Sequence, residues 1–202
     1  MVKTGLFIFS NDLRIDDNPA LRLAASEMDQ LICCYIQDDI PSSEARQEKV
    51  VRSGLRNQFL HESLVALDGS LQNYGHRLVF LKLSVTDAAA ELIRLHNVSD
   101  IYGSVNVGRH FNRQWDVLRK EHPTISFQQR HSHTMFKPGD LPFTIDSFPF
   151  TFTKFRRQVE GLLVDFPAPK PKSLPPPPAN LSRENTVPSL CDITPGSYFT
   201  GG

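Results

Sequence analysis

The chain of 202 residues has no net charge: 22 Lys+Arg are balanced by 22 Asp+Glu. A domain that grips nucleic acid through its phosphates needs a basic stripe, so little or no direct nucleic-acid binding is expected. The local basic clusters (Arg109, Arg113, Arg119, Lys120; Lys154, Arg156, Arg157) read as solvated helix faces. Cysteine is scarce. The three are Cys33, Cys34 and Cys191, an odd number with two adjacent in an apolar run. That excludes a disulfide framework and points to a reducing, cytoplasmic compartment. No apolar run approaches the roughly 20 residues of a membrane span, and the first begins at Leu6, leaving no room for a leader. His131 and His133 lie close together, but no second ligand pair supports a metal site. No Ser/His/Asp, Cys/His or paired-carboxylate pattern emerges, so no catalytic residue is assigned.

What is present is a repeating alternation of short apolar runs and helical patterns. Leu6 to Phe9 is unbroken, as in a strand buried on both faces of a parallel sheet. It stops at Ser10-Asn11-Asp12, and Pro19 then takes the first turn of a helix with Asn18 as its N-cap. Further strands are read at Leu31–Ile36, Arg77–Leu83, Ile101–Val105 and Ile125–Phe127. Between them lie helices over about Val50–Asn73 (apolar at Leu55, Phe59, Leu60, Leu64, Leu67 and Leu71, closed by Gly75), from about Thr86, and over Phe111–Lys120. Five strands joined by four helices imply a Rossmann-like, doubly wound α/β fold, with a five-stranded parallel sheet in the order 3-2-1-4-5. Its switch point lies between strands one and four, so Ser10–Asn11 and Ser104–Asn106 should face each other across a crevice. No Gly-x-Gly-x-x-Gly follows the first strand, which excludes the dinucleotide fingerprint there.

The chain divides at about residue 130. Residues 1–130 form the α/β domain. Residues 131–165 are an aromatic segment ending in a short helix at about Phe152–Leu162. Residues 166–202 are a Pro-rich, extended interdomain linker outside the core, with four consecutive prolines at Pro175–Pro178. On the long helix, Arg56 and Phe59 stand one turn apart. They either clasp a planar heterocycle between guanidinium and ring or serve as a surface cation and a core ring.

Four motifs together resemble the photolyase/cryptochrome flavoproteins. They are Asn11-Asp12-Leu13-Arg14-x-x-Asp17-Asn18-x-Ala20-Leu21 and Arg56-x-x-Phe59-Leu60-x-Glu62-Ser63-Leu64. Next come Asp140-Leu141-Pro142-Phe143 with Phe152-Thr153-x-Phe155-Arg156-Arg157-x-Val159-Glu160, and finally Phe199-Thr200-Gly201-Gly202. The third is similar to the segment that marks DASH-type cryptochromes. The resemblance implies an N-terminal domain that houses or borders an antenna pigment, commonly methenyltetrahydrofolate. In the family, FAD and the DNA-contacting surface belong to a C-terminal helical domain. FAD is therefore expected only if such a domain exists, in cis or as another protein, and this chain alone is expected to be inactive in repair. A face left uncovered by that domain would favour self-association.

On that resemblance the antenna-binding candidates are Ser10, Asn11, Arg56, Phe59, Asn106 and Asn112. Ser10 stands where the family usually has an arginine. No carboxylate follows the fourth strand until Asp116, where antenna-binding relatives place acidic residues. Asn106 or Asn112 can still bond a pterin, since an amide both donates and accepts. Two other readings compete: a pigment-free docking module using the crevice or Phe143–Phe155, and an adenine-nucleotide-binding domain, which the lack of a Gly-rich phosphate loop counts against.

Overall fold

The computed structural model describes residues 2–38, 54–181 and 187. The start of the long helix at Val50, Cys191 and the closing Phe199–Gly202 motif lie outside the described residues. Nine elements alternate: β1 (Thr4–Phe9), α1 (Pro19–Glu27), β2 (Gln30–Ile36), α2 (Gly54–Gln72), β3 (Val79–Leu81), α3 (Val85–His96), β4 (Val98–Ser104), α4 (Arg109–Glu121) and β5 (Ser126–Arg130). All strand pairs are parallel, and the order is β3-β2-β1-β4-β5, as the alternation implied.

The alternating side-chain directions of the strands build two apolar layers. Phe7 and Phe9 of β1 join Leu31 and Cys33 of β2 beneath α1 and α2, with Leu21, Leu64, Leu67 and Leu71. Leu6 and Ile8 join Ile32, Cys34 and Ile101 beneath α3 and α4, with Leu92, Trp115 and Leu118. The crossovers to β2 and β3 run one way along the sheet and those to β4 and β5 the other. Right-handed connections therefore put one helix pair on each face. Both cysteines are sealed between the layers, and burial pushes the Cys33 thiol up to about 12 and raises Cys34 as well. Neither is a nucleophile.

Local chemistry sets the element ends. Asn18 Oδ1 accepts the Leu21 N–H at 3.0 Å, with Pro19 in the first turn. Ser84 caps α3 by accepting the Asp87 N–H, so the helix starts at Val85, slightly before the expected Thr86. Asn97 then adopts φ 50° and lets β4 begin at Val98, three residues earlier than the apolar run suggested. Gly75, at φ 74°, ends the helical region, where a side chain would be strained. β3 starts two residues later than expected, where Arg77 and the Leu78 N–H are committed to Asp68 on α2, and it ends at Leu81.

Beyond β5 the chain forms two single 3-10 turns, Pro138–Asp140 and Ile145–Ser147, and then helix α5 (Phe152–Val159). Phe143, Phe148 and Phe155 pack with centroids 5.3–5.9 Å apart. The Pro-rich tract is not wholly outside the core, contrary to the sequence expectation. Leu174 is buried in the α1/α2 layer. The backbone of the tract is also hydrogen-bonded to the domain: Asp17 N–H to Ala168 O at 3.1 Å, His76 Nε2 with Pro175 O at 2.7 Å and Leu31 N–H to Pro176 O at 3.1 Å. Residues 168–181 act as a strap. Proline's missing N–H suits it to this, since each carbonyl can still accept.

Candidate functional site: a crevice at the sheet switch point

At the carboxyl ends of β1 and β4 the chains diverge to opposite neighbours, and a crevice of ≈ 330 Å³ opens there. That is at the lower end of the roughly 300–1,000 Å³ usual for small-molecule sites. Five of the six nominated residues line it: Ser10, Asn11, Arg56, Phe59 and Asn106. Asn112 does not. It is exposed on α4, whose inward face carries Phe111, Gln114 and Trp115, so Asn112 falls one residue, or about 100°, off that stripe. Leu55 and Phe59, expected on the core face of α2, are about half exposed (53% and 49%). The first turns of that helix pass over the crevice, and Phe59 turns into it.

The floor is organised by Asp12, only 1% exposed. Its Oδ1 accepts the Ser10 N–H at 3.1 Å and the Ser10 hydroxyl at 3.2 Å. Its Oδ2 accepts from Asn18 Nδ2 at 3.3 Å and from the Ser104 hydroxyl. Ser132, from the segment after β5, donates to Ser104 Oγ at 2.6 Å. A buried carboxylate satisfied by so many donors is a structural clamp holding the ends of β1 and β4 together.

Asn106 is 8% exposed. Its Oδ1 accepts the Gly108 N–H at 2.9 Å. A backbone N–H can only donate, so the amide orientation is determined, and Nδ2 is left as a buried donor without a partner. Such a group costs about 1–3 kcal/mol unless something accepts from it. Tyr35, Leu60, Phe111 and Trp115 supply flat apolar walls. Near Gln114, Asp38 Oδ2 accepts from the Gln114 amide and lies 3.1 Å from His110 Nε2, tying the loop after β2 to α4.

Sequence reasoning missed Tyr35, Ser63, Phe111 and Gln114 as lining residues. For Phe111 and Gln114 the signal was their spacing with Trp115. Tyr35 and Ser63 left none. The amides, hydroxyls, Arg56 and aromatic walls suit a planar heterocycle with polar edges. No group of three metal-binding side chains occurs among the described residues, and no helix among them is long and apolar enough to cross a membrane.

Comparison with known proteins agrees with this topology. The DNA photolyase family model matches residues 6–176. The chain is 32% identical to Cryptochrome DASH of Idiomarina loihiensis over 99% of its length, covering 44% of that protein. It is 33% identical to Cryptochrome DASH of Vibrio parahaemolyticus, also over 99% of its length, covering 45% of that protein. The crystal structure of the Synechocystis sp. PCC6803 cryptochrome superimposes over the whole chain with a TM-score of 0.86 at 26% identity, 44% of that structure being covered. The chain thus spans less than half the length of these relatives.

Proposed function

The chain belongs to the DNA photolyase family, with DASH-type cryptochromes among its relatives, and from that premise we propose that it is the antenna-type domain of a cytoplasmic blue-light flavoprotein. The crevice between β1 and β4 would hold methenyltetrahydrofolate or a related pigment. The observation that carries this reading is the buried, unpartnered Nδ2 of Asn106 among flat apolar walls. When bound, the pigment supplies light absorption and passes excitation onward, with no bond made or broken here. Asn106 would donate to it, while Arg56 and Phe59 would close over the ring from α2. The electron-handling FAD would sit in a helical domain supplied in cis or by another protein, since the relatives are more than twice as long. This chain alone should not repair DNA.

A pigment-free docking role is the second reading. It is favoured by exposed phenylalanines around α5, with Phe150 99%, Phe152 75% and Phe166 96% exposed. Calorimetric titration of the purified protein with methenyltetrahydrofolate separates the two. Saturable binding at micromolar concentration supports the antenna, and no heat of binding leaves the docking module.

A further inference from the structure

Where the loop after β2 meets α4, three side chains bring their polar atoms to one point. Asp38 follows β2, while His110 and Gln114 stand four residues apart on α4, the spacing that puts two ligands on one helix face. His110 Nε2 lies 3.1 Å from Asp38 Oδ2 and 3.0 Å from the Gln114 amide, which itself meets Asp38 Oδ2. Three mutual contacts cannot all be hydrogen bonds. A carboxylate oxygen only accepts, an amide nitrogen only donates, and a ring nitrogen does one or the other. With a proton on Nε2, the ring serves Asp38 and faces the N–H groups of the amide. Without it, the ring serves the amide and sets its lone pair against the carboxylate. Turning the amide over moves the conflict to its oxygen, which then confronts Asp38.

A cation satisfies all three at once. We propose that Asp38 Oδ2, His110 Nε2 and Gln114 Oε1 bind a divalent first-row transition-metal ion, at a site independent of any pigment. Each atom offers a lone pair, the amide oxygen being brought in by a half-turn of the carboxamide. The two distances at His110 match the edge of about 3.0 Å between neighbouring ligands when bonds of about 2.1 Å stand at right angles. One imidazole, one carboxylate and one amide oxygen suit zinc, nickel or cobalt better than calcium, which takes about six to eight oxygens. Triads drawn from histidine, cysteine and carboxylates alone are absent among the described residues, and the amide oxygen is what completes this one. Asp38 is mostly buried and His110 partly exposed, so water fills the outer positions of the ion. Its effect is to pin the loop after β2 to α4, a wall of the crevice.

The test titrates zinc calorimetrically into the untagged whole chain. Saturable one-to-one binding at micromolar concentration is expected, with an unfolding temperature that rises as zinc is added. His110→Ala and Asp38→Asn should each weaken binding by about tenfold or more. His133→Ala, which breaks the His131–His133 pair instead, should leave it unchanged. Gln114→Glu exchanges the amide oxygen for a carboxylate. Without metal it sets two anions together and lowers the unfolding temperature; with zinc it should bind about tenfold more tightly than the wild type, since ligand charge tunes affinity. A cluster that is only hydrogen-bonded shows the loss without the rescue by zinc, and that result overturns the proposal. So does the absence of zinc binding, binding unmoved by His110→Ala, or binding that His133→Ala abolishes. Should His110→Ala not fold, the response of Gln114→Glu to zinc still decides. Because no pigment enters the experiment, its failure leaves the antenna reading standing, and failure of that reading leaves this site standing.

Discussion

Gly103 shows how a single missing side chain shapes the crevice wall. A Cβ there would lie 2.7 Å from Trp115 Cζ2 and 3.3 Å from Ile8 O. The indole cannot retreat freely, because Phe127 and Arg119 pack against it at 6.1 and 5.8 Å. Gly103→Ala should therefore destabilise the fold by about 1–3 kcal/mol and shift the emission of the only tryptophan. Urea unfolding followed by that emission checks both effects. Residue-scale features were legible where the physics is local: Asn18 caps and Pro19 opens α1 because both act within one turn. The Asp12 clamp was not legible, since its partners Ser104 and Ser132 come from 92 and 120 residues away. A turn-forming Asp after a strand gives no sign of such partners.

Among the elements, the strap departs most from its sequence pattern. Consecutive prolines predict an extended conformation correctly, but they say nothing about what the carbonyls and the neighbouring leucine meet. Leu174→Ala should cost stability at the lower end of the roughly 2–5 kcal/mol seen for buried leucines, read as a lower urea midpoint. His76 gives the strap a pH dependence. The ring is buried, which holds its pKa below the ordinary histidine value, and it bonds Pro175 O. Because the unfolded chain binds the proton more readily, the stabilisation is complete above the ordinary histidine pKa. It is lost as the pH falls from there through the depressed folded value. The unfolding midpoint should thus drop between neutral and mildly acidic pH. His76→Gln, which keeps a donor for Pro175 but cannot titrate in this range, should flatten that part of the profile. A profile unchanged by the substitution would remove His76 from the account.

On the scale of the whole molecule, the order 3-2-1-4-5 and the place of the crevice could be read from the alternation of apolar runs and helical spacing, because connection handedness leaves few other arrangements. Which residues line the crevice was legible for five of six candidates. Asn112 lies outside the crevice lining because a residue number near the right strand end does not specify a helix face. The central claim is that this scaffold holds an antenna pigment while the flavin belongs to the part of the relatives' length that it does not span. Its most direct test is to incubate the purified chain with equal amounts of methenyltetrahydrofolate and FAD, remove unbound ligand by gel filtration and record the near-ultraviolet and blue absorption. Retention of the folate band without a flavin band is the predicted result. A retained flavin spectrum, or a protein fraction with neither band, would contradict the account.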